Sequence, residues 1–527
     1  MLSIITFLGF TALVAIISYF ATKKTNEKSA DGYFLGGRSL TAGVIAGSLL
    51  LTNLSTEQIV GLNGSAYSEG ILVMAWETLA AIAMVVTALF LLPRYLKSGL
   101  TTIPQFLADR FDVSTKTLTS ALFLTGYVVV LLPVILYSGS VAISGMFNLP
   151  EVLGVSQKTA LWICVWGIGI IGSIYAIFGG LKAVAISDAI NAIGLLIGGL
   201  LIPVFGLMFI GDGNLLEGLT VLTTENPDKF DAIGKSSDSI PFATIFTGMM
   251  LVQLFYWGTN QQIIQRALGA KNLKEGQKGL LLGSFIKILG PLIVVLPGII
   301  AYHIFEGTLE NTDQAYPMLV NKVLPPEWLG FFAAVLFGAI LSSFNSVLNS
   351  AVTLFGLDIY KQHINKEAEE KTVVKKGKIF GILLAFAAMF IAPLLANASD
   401  GLFGYLQQVN GIYSIPILTI IIVGFLTKRV PAIAAKVALI SGSLLYIIYI
   451  LLDSTILEDK FPHFLHVMAI LFALNVIIMF VIGYFKPRSE TYVQEYTKQV
   501  DINPWPHAKI IGSIICFIVI ATYFYFR

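Results

Sequence analysis

Fourteen stretches of this chain are apolar over about the length of a helix that crosses a bilayer, and no other feature limits the possible folds so strongly. A hydrocarbon core of about 30 Å requires roughly 20 helical residues. Such windows fall near 2–22, 41–66, 70–93, 118–147, 157–178, 183–211, 241–265, 279–304, 330–358, 379–398, 401–427, 431–452, 463–485 and 508–526. Only 12% of the 527 residues are charged, about half the usual share in a soluble domain. Within lipid every backbone N–H and C=O must find a partner inside the protein, which a helix provides by itself. The expectation is an all-α integral membrane protein of about 14 spans in a lipid bilayer. The first window lacks a basic leader and a small-residue cleavage site and is followed by Lys23 and Lys24, so it reads as a retained span rather than a signal peptide.

Basic residues give the orientation, because Lys and Arg accumulate in cytoplasmic loops. With the N-terminus outside, most of the 33 fall on the inner side or its immediate flanks, including Arg94, Arg110, Lys116, Arg266, Lys271 and Lys375. The outer side keeps Lys158, Lys229, Lys235, Lys322, Lys460 and Arg527, and Lys287 lies within a span. Both termini are therefore expected to be extracytoplasmic, in a cell membrane. The net charge of +2 is spread over many loops, so nothing points to nucleic acid. Cys164 and Cys516 sit in apolar windows and read as small buried residues rather than a disulfide.

Polar groups inside the spans carry the functional information, since each is costly in lipid unless paired or wet. The stretch TNLSTEQ, residues 52–58, interrupts the second window. The charged residues at depth are Glu57, Glu77, Asp188 and Lys287, joined by the neutral Asn53, Gln58, Gln253 and Gln407. Any one of these reads equally well as a helix-to-helix hydrogen bond. Their presence on several helices points to a central polar cavity. No catalytic constellation accompanies them: the five histidines are scattered and no phosphate loop is present, so the chain does not read as an enzyme. His463 and His466 have metal-ligand spacing without a third ligand nearby and read as interfacial residues.

A second polar cluster, FGAILSSFNSVLNS at 337–350, puts Ala339, Ser342, Ser343, Ser346 and Ser350 on one helical face. A stripe of small residues also serves close helix packing. Two adjacent hydroxyls on an interior face are, in addition, hard oxygen ligands suited to a cation. A helix broken at TNLSTEQ would free carbonyls around 51–54 for the same ion. A comparable interruption, QLFYWGTNQQ at 253–262, opens a second set of five windows. Two broken helices, each opening a set of five, suggest inverted repeats.

Several long motifs in order, DGYFLGGRSL, SLLLTNLSTEQIVGLNGSAY, TTIPQFLADRF, FGGLKAVAISDAI, FYWGTNQQIIQRALGAKN and LSSFNSVLNSAVTLFGLDIY, resemble the solute:sodium symporter family, in particular its sodium/glucose and sodium/galactose cotransporter branch. The resemblance runs from about residue 30 to residue 430. It implies a LeuT-like core of two inverted five-helix repeats, 41–212 and 241–427. Around this core lie an extra N-terminal helix and inner loop over 1–40, an external loop at 213–240 and three C-terminal spans over 428–527. For the coupling ion, Na+, it implies the carbonyls of Leu51, Leu54 and Ala339 and the hydroxyls of Ser342 and Ser343. For the solute it implies Gln58, Glu77, Lys287 and Gln407, with Gln253 where the branch has asparagine, Asn53 at the helix break and Tyr256 as an inner aromatic gate. A second sodium, carried by some members, would fall to Asp188, Asn345 and Ser346, although Asn345 stands where a hydroxyl is expected.

A Glu and a Lys in one cavity neutralise each other while offering acceptors and donors, which suits a neutral polyhydroxyl solute. The expected function is sodium-coupled import of a glucose- or galactose-like sugar by alternating access. The alternatives are a sodium symporter for an organic anion or amino acid, and an uncoupled sugar sensor or pore.

Overall fold

Ten helices among the described residues are long and apolar enough to cross a membrane, and two further spans are bent pairs: Phe242–Gly258 with Gln261–Leu268 at 47°, and Leu273–Leu289 with Pro291–Ile304 at 44°. The computed structural model describes residues 2–22, 29–397, 402–453 and 461–527. Among them the regular structure is helical throughout, with one isolated bridge between Leu40 and Ala270. The expected inner residues Lys23, Lys24 and Lys28 and the outer Lys460 lie outside the described residues.

The second expected span is a broken helix. Ala42–Asn53 ends as the Leu54 amide donates to the Leu50 carbonyl at 2.7 Å, and Thr56–Glu69 starts anew after Ser55. Gly70 then ends that helix at φ +74°, packed against the Lys229 backbone, before Ala75–Val86. Only glycine takes that conformation without strain. The bend near residue 260 has a local cause: the Asn260 side chain accepts from the Gln262 amide and starts a fresh helix. The bend at 290 was not expected. Pro291 has no N–H to give to the ladder, and Asn63 helps satisfy the backbone there, donating to the Ile293 carbonyl at 3.3 Å and accepting from the Gly298 amide at 2.9 Å.

Two expected spans, 157–178 and 183–211, correspond to the apolar segments Gln157–Ile174 and Leu181–Ile210, which share one run of helical backbone, Gln157–Ile210. This run packs against Ala42–Asn53 and Pro326–Thr353. Gly47 allows the first of these contacts, since a Cβ there would lie 2.7 Å from the Ala189 Cα. The close approach sets Ser48 beside Asp188, with the hydroxyl donating to the carboxylate at 2.6 Å.

The motif TTIPQFLADRF contains the helix Ile103–Arg110, whose Ile103, Pro104, Phe106 and Leu107 are buried. Arg110 is itself buried and donates to the carbonyls of Gly424, Val430 and Thr427 at 2.9, 3.0 and 3.1 Å. At the same end of the bundle, residues 486–507 run as an extended strap. The Arg488 and Tyr492 amides donate to the carbonyls of Arg429 and Lys428, the Thr497 amide donates to Lys97, and the Asp501 carbonyl accepts from the Leu273 amide. The last helix, Ala508–Tyr525, packs on Ala75–Val86, where the Tyr523 and Thr78 hydroxyls meet at 3.3 Å.

Candidate functional site

Lys287 and Glu77 meet in the interior with side chains 1% and 0% exposed, and the Lys287 ammonium also donates to the Asn53 amide oxygen. Three helices contribute: Asn53 ends the first half of the broken span, Glu77 lies in the first turn of Ala75–Val86, and Lys287 lies in the last turn of Leu273–Leu289. The last two are held together by Ser284, which donates to the Ala81 carbonyl at 2.8 Å, and by Gln277, which donates to Ala88 at 3.1 Å. Gly290 lies over the pair, and a Cβ there would run into the Glu77 carboxylate. A buried pair of this kind holds only when its remaining hydrogen-bonding capacity is met or saved for a ligand.

Gln253 adjoins the pair and donates to the Trp76 carbonyl at 2.8 Å. The Tyr256 hydroxyl faces Asn53, and its ring meets Trp257 edge-on at 5.3 Å. The Lys287 ammonium lies 5.7 Å from the centre of the Trp257 ring, so this tryptophan also belongs to the site. Gln58 is on the second half of the broken span. Gln407 is half-buried on Leu402–Leu426 and makes no hydrogen bond to the other expected solute residues. From the same helix Phe403 packs against Gly61 and edge-on against Trp76 at 5.3 Å. Three buried oxygens have no hydrogen-bond donor: Glu77 Oε1 in the pair itself, and Glu57 Oε2 and Gln58 Oε1 on the second half of the broken span.

The serine stripe runs along Pro326–Thr353 and faces the break. The Ser343 hydroxyl donates to the Thr52 carbonyl at 3.1 Å, and the Thr52 and Ser346 hydroxyls meet at 3.1 Å. Leu51, Leu54 and Ala339 are buried alongside. The backbone oxygen that Ser343 touches is thus that of Thr52, which lies between the two carbonyls expected from the break. The Ser342 hydroxyl makes no hydrogen bond of ordinary geometry, although it faces Asp188. Hydroxyls and carbonyls with an unused oxygen among them form a hard donor set that suits a cation such as sodium.

Beside this cluster the structure departs from expectation. Arg266, expected at the flank of an inner loop, is 1% exposed and sits among the residues expected for a second sodium. Its Nη2 lies 3.6 Å from Asp188 Oδ2 and also donates to Ser346, while Nε donates to Ser48 at 2.8 Å. Lys116 and Asp358 form a second unexpected buried pair at 2.9 Å, and the Thr102 and Ser120 hydroxyls donate to the carboxylate at 3.0 Å. A hydropathy window assigns such residues to loops because they lie near span ends. The available signal was the string NQQIIQR, whose polar residues recur with helical spacing after the second break.

Comparison with known proteins fits this geometry. The model of the sodium:solute symporter family matches residues 33–442. An Escherichia coli K12 protein named as an uncharacterized symporter, YidK, is 48% identical over 99% of this chain and 90% of its own. The sodium/glucose cotransporter of Vibrio parahaemolyticus is 32% identical over 84% of each chain, and the human sodium/myo-inositol cotransporter 2 is 28% identical over 92% of this chain and 77% of its own. Among solved structures, a Na+-coupled sialic acid symporter in a substrate-bound, outward-open state superposes with a TM-score of 0.77 at 20% identity, covering 93% of this chain and 99% of its own. The shared fold is that of the LeuT-like sodium symporters. A multi-pass membrane protein with this match is a transporter that couples a small solute to sodium, and the chain belongs to the sodium:solute symporter family.

Proposed function

We propose that the solute is a neutral polyhydroxyl compound of the glucose or galactose kind, imported by alternating access. The observation that carries this reading is a Lys–Glu pair that neutralises itself and keeps one donorless oxygen, Glu77 Oε1, with two more donorless oxygens, Glu57 Oε2 and Gln58 Oε1, on the second half of the broken span. Buried acceptors left unpaired are costly, and a solute that brings several O–H donors removes the cost. An organic anion would bring further acceptors to the same place. The aromatic rings of Trp76, Tyr256 and Trp257 supply apolar faces next to these polar groups, a common composition for small-molecule pockets.

In this reading Gln58, Glu77, Gln253, Lys287 and Gln407 contact the solute, Tyr256 closes over it, and sodium binds between the break and Ser342 and Ser343. The repeats are 41–212 and 241–427, each opened by a broken helix, and the termini face outward as the basic residues suggest. An amino acid remains the second reading, because its ammonium would also satisfy those acceptors. Uptake into sealed vesicles, with and without a sodium gradient and with competing sugars, amino acids and carboxylates, separates these readings. Competition by sugars alone supports the proposal, and competition by amino acids alone overturns it.

A further inference from the structure

We propose that the cavity between the loop after Leu402–Leu426 and the end of Phe464–Phe485 binds one anionic phospholipid, with an acyl chain on its apolar wall and the phosphate on Lys428 and Arg429. The cavity has a volume of about 710 Å³, and its walls include Phe480, Val481 and Phe485 on the helix and Lys428 and Arg429 on the loop. Phe480, Val481 and Phe485 are exposed on the outside of the bundle, where lipid covers them. The charge beside this apolar wall is what calls for a particular lipid.

Four successive carbonyls of the loop are already taken. Arg110, buried beneath it, receives those of Thr427 and Val430 at 3.1 and 3.0 Å, and the strap amides of Tyr492 and Arg488 donate to those of Lys428 and Arg429 at 3.0 and 2.8 Å. The backbone oxygens that would repel a phosphate are thus paired. The Lys428 and Arg429 side chains stay exposed and form no salt bridge among the described residues. Lys486, also exposed, follows Phe485 directly. Among the described residues lining the cavity none is acidic, and Glu490, one position before the lining Thr491, is not part of the wall. Gly483 lets the helix end approach the loop, since a Cβ there would already lie 3.2 Å from Val430 Cγ2. Basic residues at the aqueous end of a groove between spans favour anionic headgroups, each adding about fivefold in affinity. A zwitterionic headgroup would bring its own cation to the same place. A second copy of this chain, seated here about a twofold axis, would set the same basic residues against one another.

Native mass spectrometry of the purified full chain in detergent, titrated with dioleoylphosphatidylglycerol or dioleoylphosphatidylcholine, is the test. One phosphatidylglycerol should bind about tenfold or more tighter than phosphatidylcholine, and Lys428→Gln with Arg429→Gln should weaken it about 25-fold. Phosphatidylcholine binding should not change. The unfolding temperature without lipid checks that the double variant is folded; if it falls, the single variants decide instead, each expected to weaken phosphatidylglycerol about fivefold. Glycerol phosphate, a headgroup without chains, should not compete. Equal affinity for the two lipids overturns the proposal, as does a folded variant that keeps the parent's preference. Competition by glycerol phosphate overturns it as well, because a soluble phosphate would then be the occupant. A lipid-free dimer that the double variant splits does the same, because a second copy would then cover the cavity.

Discussion

The Ser343 hydroxyl donates to the Thr52 carbonyl at 3.1 Å, joining an unbroken helix to the last turn before a break. If this is an edge of the sodium site, Ser343→Ala removes a ligand oxygen and keeps the helix, since alanine is a good helix former. Losing one charge-assisted contact costs about 1.5–3 kcal/mol, so half-maximal sodium should rise about tenfold or more. Sodium-dependent uptake at fixed solute measures the shift, and an unaltered sodium requirement would mean that the stripe serves packing alone.

Glu77 and Lys287 should fail separately and fold together. Removing either partner leaves a bare charge in the interior, which costs about 3–5 kcal/mol. Glu77→Gln and Lys287→Met should each lower the unfolding temperature in detergent and abolish uptake. The double variant should regain much of the thermal stability without regaining transport. A double variant that transports at the parent's rate would show that the pair only holds the helices.

Gly290→Ala is a smaller and sharper change. The added methyl has no room beside the Glu77 carboxylate, and overpacking of this sort costs roughly 1–3 kcal/mol. Solute affinity should drop by about tenfold or more, while sodium binding at the serine cluster is kept. Both follow from isothermal titration, and a matched loss of sodium binding would point to general damage instead.

Stoichiometry sets an upper limit on accumulation. A sodium ion crossing about 100 mV supplies about 2.3 kcal/mol, and a tenfold gradient adds about 1.4. One ion therefore supports roughly 500-fold concentration of a neutral solute, and two would square that figure. Vesicles clamped at known potential and gradient should approach the first limit without passing it. Accumulation well beyond it would contradict a single coupled ion.

Much of this was legible because membrane solvent makes polarity conspicuous. Glu77 and Lys287 stood out in apolar windows, and the structure joins them directly. The break at TNLSTEQ was equally visible, since six polar residues cannot lie unpartnered in lipid. Arg266, Asp358 and Lys116 were not visible as interior residues, because each lies near a span end where window averaging mixes it with loop residues, and Arg110 falls in the connection between two expected spans. Their burial depends on tertiary partners, such as the three carbonyls around Arg110, and no local pattern encodes these. The bend at Gly290–Pro291 had a plain local signal, yet a proline in an apolar run fixes no bend until the structure supplies Asn63 to stabilise it.

The strap at 486–507 has a consequence for biosynthesis. Its partners at Lys97, Leu273, Lys428 and Arg429 are all translated earlier, at points spread over most of the chain. While the ribosome is still elongating, those groups lack their strap partners, and the ends of the inserted helices are tied only by contacts such as those of Arg110 with Gly424, Thr427 and Val430. Completion of the chain then secures all of them at once. Assembly of this carrier therefore finishes with a tethering step at the water-exposed end of the bundle, after the insertion of the spans it connects.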